Sequence, residues 1–214
     1  MFVLTEKASL ANHFIAELRD EQVQKDSMRF RRNMERVGEL LAYEISKALV
    51  YVPVQVTTPL GTKDTLLLQQ QPVLATILRA GLPLFQGFIN YFDKADSAFI
   101  GAYRGKHKQD ESFDIELHYA VAPDLNGRTL ILIDPMLATG KSAVKAYNSL
   151  IQYGTPAHTH LVAAVASQEG IAYIQEHLPF CKLWLGTIDE KLNHKAYIVP
   201  GLGDAGDLAF GSKM

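Results

Sequence analysis

The sequence predicts an α/β fold: a doubly wound, mostly parallel sheet flanked by helices. Three observations point there. Apolar runs at 73–78, 130–133, 160–166 and 182–188 have the length and composition of strands buried on both faces and are far too short to span a membrane. The first two runs break into small-residue turns that lead straight into helical periodicity, and a helical pattern at 171–178 separates the other two. Strand, helix and strand in alternation give parallel pairing through right-handed crossovers, with ligands gathered above the carboxyl ends of the strands.

Taken in order, the elements follow from local chemistry. Phe2 to Leu4 is too short for the core of a signal peptide. Phe30, Met34, Val37, Leu41, Ile45 and Leu49 recur at three- and four-residue steps, which predicts an amphipathic helix with Ser27 as its cap. Arg29, Arg31, Arg32, Glu35 and Arg36 fall on its wetter sides and read as a solvated face. Val52 to Leu68, with a P-L-G-T turn, predicts a hairpin. V-L-A-T-I-L at 73–78 predicts a strand that stops at Arg79-Ala80-Gly81, before the helical run Leu84, Phe85, Phe88, Ile89 and Phe92. A-F-I-G-A-Y-R at 98–104 repeats the design and puts Arg104 at a strand's end. Lys106 to Asp114 reads as a charged loop entering the alternation Phe113, Ile115, Leu117 and Tyr119, a second hairpin, with Lys106, His107 and Lys108 as surface. His158 and His160 are placed before a strand and His194 before the last loop, and with no cluster among them they read as non-ligands. Cys181, the only cysteine, lies in an apolar run without a partner for a disulfide or thiolate cluster, so it reads as packing.

Composition narrows the function classes. A net charge of −2 offers no broad basic surface for nucleic acid, and no apolar stretch approaches membrane-spanning length, so a cytoplasmic location is expected. With 214 residues and neither repeat nor low-complexity linker, the expectation is one domain over 1–214, with an N-terminal helical region at 1–50 and a specialised tail at 190–214.

The most informative stretch is L-I-L-I-D-P-M-L-A-T-G-K-S, residues 130–142. Asp134 ends the strand, Pro135 stops it, and Ala138, Thr139 and Gly140 permit a tight turn before a helix begins at Ser142. Free backbone N–H groups at that helix start, with the Thr139 and Ser142 hydroxyls, suit a phosphate. From Pro135 the letters match a nucleotide P-loop except at its first glycine, where proline fixes φ and removes an N–H donor. An acid directly before the turn suits a sugar whose two hydroxyls neighbour its phosphate better than it suits a triphosphate.

The segment resembles the diphosphoribose-binding motif of type I phosphoribosyltransferases, and its D-P-M-L-A-T-G form is similar to the uracil phosphoribosyltransferase branch. The resemblance implies that Asp134 meets the ribose hydroxyls of phosphoribosyl diphosphate. It implies too that the loop from Pro135, Met136 and Leu137 through Ala138, Thr139, Gly140, Lys141 and Ser142 binds this donor, with 138–142 at its 5′-phosphate. Lys141 stands where that branch usually has glycine, and either adds charge near the phosphate or points into solvent. The R-A-G turn resembles the family's diphosphate loop, which makes Arg79, with Arg104, the expected partner of the leaving group. The hairpin after Arg104 corresponds to a hood over the site.

Y-I-V-P-G-L-G-D-A-G-D at 197–207 is rich in glycine, which lets backbone approach a ligand closely. A pyrimidine's donor and acceptor edges can be read by exposed backbone groups alone. This stretch resembles the family's uracil-binding loop, a flap that implies base contacts from Ile198, Gly203, Asp204 and Ala205, with Tyr197 covering the ring. Asp204 is also implied near the donor, and it is the candidate base for the uracil N1 proton. The implied catalytic set is Asp204, Arg79 and Asp134. The implied reaction joins uracil to phosphoribosyl diphosphate, giving UMP and diphosphate. Mg²⁺ would be held through substrate oxygens and water, with no protein side chain as metal ligand. The resemblance also implies a homodimer or larger homo-oligomer and a GTP effector. Two other readings stay open at this point: a nucleotide-hydrolysing P-loop protein, and a non-catalytic regulator that senses nucleotides or binds RNA.

Overall fold

The computed structural model describes residues 1–107 and 113–212, with 102–107 and 113–118 described by backbone alone. The first half of the chain runs β1 (Phe2–Val3), α1 (Leu10–Arg19), α2 (Ser27–Ser46), β2 (Tyr51–Thr58), β3 (Gly61–Leu68), β4 (Val73–Leu78), α3 (Leu82–Ile89) and β5 (Asp96–His107). The second half runs β6 (Phe113–Val121), β7 (Thr129–Ile133), β8 (Met136–Leu137), α4 (Lys141–Leu150), β9 (His158–Ser167), α5 (Gln168–His177), β10 (Lys182–Asp189), β11 (Lys191–Leu192), β12 (Ile198–Val199) and α6 (Ala205–Phe210).

An eight-stranded sheet in the order β1-β10-β9-β7-β4-β5-β6, with β8 beside β9, forms the centre. Its pairings are parallel except for β5 with β6. The central strands β4, β7 and β9 are apolar through most of their length because both faces are covered. In β7, Ile131 and Ile133 enter a core shared with α2 and α3, while Leu130 and Leu132 enter a second core shared with α4 and α5. Burying one such side chain contributes about 1.5–3 kcal/mol. Helices α2 and α3 meet backbone to backbone at Gly38 and Gly87, where a Cβ on Gly87 would lie 2.2 Å from the Glu35 carbonyl oxygen.

Several local expectations are corrected. Helix α2 is capped by Asp26, whose carboxylate accepts from the Met28 and Arg29 amides, and Ser27 is already its first helical residue. Its arginines are not simply solvated: Arg31 donates to the Ala209 carbonyl, and Arg36 bonds Asn33 and lies over the Phe14 ring. Arg104 is not at a strand's end, because antiparallel β6 continues the ladder and carries β5 on to His107, with Arg104 paired to Ile115. Lys106 and His107 therefore belong to β5 rather than a loop; Lys108, and with it the tip of the expected hood, lies outside the described residues, as does the side chain of Arg104.

The hairpin of β2 and β3 forms as expected, with Pro59 and Leu60 at its turn. His158 and His160 lie inside β9 rather than before it. His160 is buried and its Nδ1 accepts from the Trp184 indole at 2.8 Å, while burial pushes its pKa down to about 4, so it is neutral at pH 7. Burial pushes the Cys181 thiol up to about 12, in keeping with packing rather than thiolate chemistry. Among the described residues no helix is long and apolar enough to cross a membrane.

Candidate active site

Four parallel strands end side by side, and each delivers a polar residue at its carboxyl end: Arg79 after β4, Asp134 after β7, Ser167 closing β9 and Asp189 closing β10. The Asp134 amide donates to the Val162 carbonyl at 3.0 Å, and the Pro135 carbonyl accepts from the Ala164 and Val165 amides, each at 3.0 Å. The stretch after Asp134 is thus stitched to β9, and Met136–Leu137 forms β8 inside what the sequence suggests is an irregular turn. Gly140 then takes a left-handed φ of 75° as the N-cap of α4 and has no side chain to cap it, while Thr139 Oγ1 accepts from the Lys141 amide at 3.4 Å. With the Lys141 amide turned to the Thr139 hydroxyl, this helix start presents N–H and hydroxyl groups suited to an anion.

A small pocket open to solvent lies here. Its lining includes Asp134, Met136, Thr139, Gly140 and Ser142, together with Leu137, Ala138 and Ala143, and it brings together most of the expected donor residues. Pro135 and Lys141 do not line it. Leu137 has only 1% of its surface exposed and its side chain sits in the core, so only its backbone is available to a ligand.

Sequence reasoning missed the support beneath this loop. Ser167 Oγ donates to the Ala138 carbonyl at 2.6 Å and accepts from the Gly170 amide at 2.9 Å. A Cβ on Gly170 would lie 2.4 Å from the Ala138 carbonyl oxygen and 2.6 Å from that of Leu137. A serine closing a strand just before a helical pattern is an N-cap signal that could have located this brace.

The tail reaches the same edge from the other side. Asp189, 7% exposed, binds Arg19 through both carboxylate oxygens at 2.8 Å and accepts from the Gly201 amide at 2.9 Å, while Arg19 also donates to the Gly201 carbonyl. Beyond Gly201, Asp204 caps α6 by accepting from the Gly206 and Asp207 amides at 2.9 and 3.0 Å. A Cβ on Gly206 would lie 3.7 Å from that of Ala80 and 3.8 Å from Arg79 Nε, so the tail rests directly on the R-A-G turn. Arg79 Nη2 completes the contact at 2.8 Å from Asp207 Oδ1. Between the ends of β10 and β4 the tail spans three strand spacings, about 14 Å, and β7 with Asp134 lies in between.

Ile198 and Ala205 are buried at 4% and 3% exposure, so they offer backbone groups rather than side chains, while Gly203 is exposed in a left-handed conformation and Tyr197 is half-buried. This suits a loop that reads its ligand with main-chain N–H and C=O groups.

A family model described as uracil phosphoribosyltransferase matches residues 5–212. The chain belongs to the uracil phosphoribosyltransferase family. It is 50% identical over 207 residues to a uracil phosphoribosyltransferase of Porphyromonas gingivalis, covering 96% of this chain and 95% of that one. To the enzyme of that name from Pyrococcus furiosus it is 38% identical over 203 residues, covering 94% and 85%. Among solved structures, the AQ2163 protein of Aquifex aeolicus superposes with a TM-score of 0.87 at 29% identity, covering 99% and 98% of the two chains. A purine phosphoribosyltransferase of Pyrococcus horikoshii, with a TM-score of 0.51 and 12% identity over 74% of this chain and 83% of that one, shares the fold. As a uracil phosphoribosyltransferase the chain is a pentosyltransferase of pyrimidine salvage, transferring the phosphoribosyl group of phosphoribosyl diphosphate to uracil to give UMP and diphosphate. The P-loop and regulator readings give way to it.

Proposed function

We propose that transfer takes place in the crevice between the phosphate loop and the tail. Asp134 accepts from the ribose hydroxyls, and the turn from Ala138 to Ser142 seats the 5′-phosphate, with Thr139 and Ser142 hydroxyls adding to the N–H groups of α4. Arg79 faces the diphosphate, with Arg104 as a second cation from β5. Backbone groups of Ile198, Gly203 and Ala205 read uracil under Tyr197. The single observation that carries this arrangement is the seating of Gly206, two residues after Asp204, on Arg79 and Ala80, beside the strand that ends in Asp134.

As diphosphate departs, positive charge grows at the anomeric carbon and negative charge on the leaving oxygens, so fixed dipoles and cations near those atoms lower the barrier. Asp204 has one oxygen committed to capping α6, which fixes the orientation of a carboxylate able to take the uracil N1 proton. Among the described residues no three His, Cys, Asp or Glu side chains gather as metal ligands. In this reading Mg²⁺ is held through substrate oxygens and water, with no protein side chain as metal ligand. When bound, the ion supplies charge neutralisation for the diphosphate. One domain over 1–214, a homodimer or larger homo-oligomer, activation by GTP and a cytoplasmic location complete the proposal.

The test is incubation of pure protein with phosphoribosyl diphosphate, Mg²⁺ and either labelled uracil or labelled cytosine. UMP should form, with kcat/KM for cytosine lower by about 10⁴-fold, since a mismatched edge leaves buried polar groups unpaired. Equal use of both bases would remove the base-reading role of the tail.

A further inference from the structure

Asp207 has no task in the arrangement above, yet it makes the contact that joins the tail to the diphosphate turn. Its Oδ1 lies 2.8 Å from Arg79 Nη2, and the same nitrogen donates to the Gly211 carbonyl at 2.6 Å. A guanidinium carries five N–H donors in one rigid plane. Engaging both donors of Nη2 sets that plane and leaves those of Nη1 and Nε for a ligand. The two side chains are 36% and 35% exposed, so the pair is screened by water and adds little to stability. Its negative charge also weakens the pull of Arg79 on an anion. An exposed contact that neither stabilises much nor helps electrostatically, but holds residues 128 apart in sequence in one geometry, has orientation as its remaining effect.

We infer that Asp207 is a positioning residue that aims Arg79 at the diphosphate of the donor. The inference rests on the proposed placement of the donor against Arg79. It adds that the aim depends on the tail: Asp207 follows the glycine seated against Ala80, so Arg79 is held in this pose only while the base-reading segment is docked.

Steady-state kinetics of Asp207→Ala test this with three ligands. The KM for phosphoribosyl diphosphate and the inhibition constant of diphosphate as product should both rise about tenfold, as for a lost charge-assisted contact. The inhibition constant of UMP should stay within about twofold, because UMP touches the phosphate turn and the tail but carries no diphosphate. Asp207→Asn, which keeps an acceptor oxygen, should recover most of the loss. In an Arg79→Gln background, adding Asp207→Ala should change the donor KM by less than about twofold, since the two residues act as one unit. UMP inhibition weakening in parallel with diphosphate inhibition would mean that Asp207 only holds the tail together, and unchanged diphosphate inhibition would make it a bystander; either result overturns the inference. Wild-type protein that forms UMP but does not lose donor affinity on Arg79→Gln would instead reject the placement on which the inference rests.

Discussion

The phosphate loop and the tail face the same crevice but are held there in opposite ways. The loop between β7 and α4 is braced from nearer in the chain: Ser167 fastens Ala138 from 29 residues away, β9 bonds Asp134 and Pro135, and the loop bonds itself at Asp134–Met136 and Thr139–Lys141. The tail is tied down by residues from the far end of the chain, with Arg19 reaching Gly201 across 182 positions, Arg31 reaching Ala209 across 178 and Arg79 reaching Asp207 across 128. Most of the proposed grip on the donor thus lies in one contiguous segment, whereas the proposed acceptor site depends on contacts to α1 and α2. The N-terminal helices therefore help to hold the tail in place.

The largest expected effect lies on the donor side. Asp134→Asn removes a charge proposed to hold the ribose, and kcat/KM for phosphoribosyl diphosphate should fall about 10²–10³-fold, with unfolding unaffected; a loss in thermal stability of equal size would mean that Asp134 is structural. Breaking the tail's anchor should show the opposite signature. Asp189→Ala leaves Arg19 unpaired and the Gly201 amide without its acceptor, so chemical denaturation should register a loss of about 3 kcal/mol. The KM for uracil should rise more than that for the donor, and equal rises would dissolve the contrast between the two regions.

Acid unfolding provides a control that belongs to neither region. The folded pKa of His160 is about 4 against an ordinary value of 6.5, so the unfolded chain binds more protons between those limits. Stability from this group is complete above pH 6.5, declines as pH falls through that window and levels off below about pH 4, a loss of up to about 3 kcal/mol. His160→Gln should flatten that slope without altering either KM. On the phosphate side, Gly170→Ala forces a methyl group against the Ala138 and Leu137 carbonyls, for a cost of about 1–3 kcal/mol and a higher donor KM. If the donor KM is unchanged, the brace is less rigid than its geometry implies. Lys141→Gly should do least. The lysine is exposed and does not line the pocket, so donor KM should move by less than about twofold, and a tenfold rise would place its charge at the phosphate.

The readable parts of the fold were those governed by short-range chemistry. Strands β4, β7, β9 and β10 could be placed because a strand covered on both faces is mostly apolar, and the turns after β4 and β7 because glycine and proline punctuate backbone locally. The cap of α2 was misplaced by one residue because Asp26 and Ser27 are both good caps, and periodicity does not resolve a single step. Arg104 looked like a strand end because the antiparallel partner that prolongs β5 is set by pairing, which its own residues do not announce.

The sequence by itself determined the alternation of elements, the strand–turn–helix form of residues 130–142 and the glycine-rich character of the tail, since each is a run of neighbouring residues with its own conformational demands. Only the tertiary structure decided that Asp189 and Arg19 fix Gly201, that Ser167 braces Ala138, and that Asp207 meets Arg79. Each of those links runs through single polar side chains to groups elsewhere in the chain, with no periodicity to mark it. What joins them is the parallel sheet, which brings the ends of four strands to one edge whatever their separation in sequence.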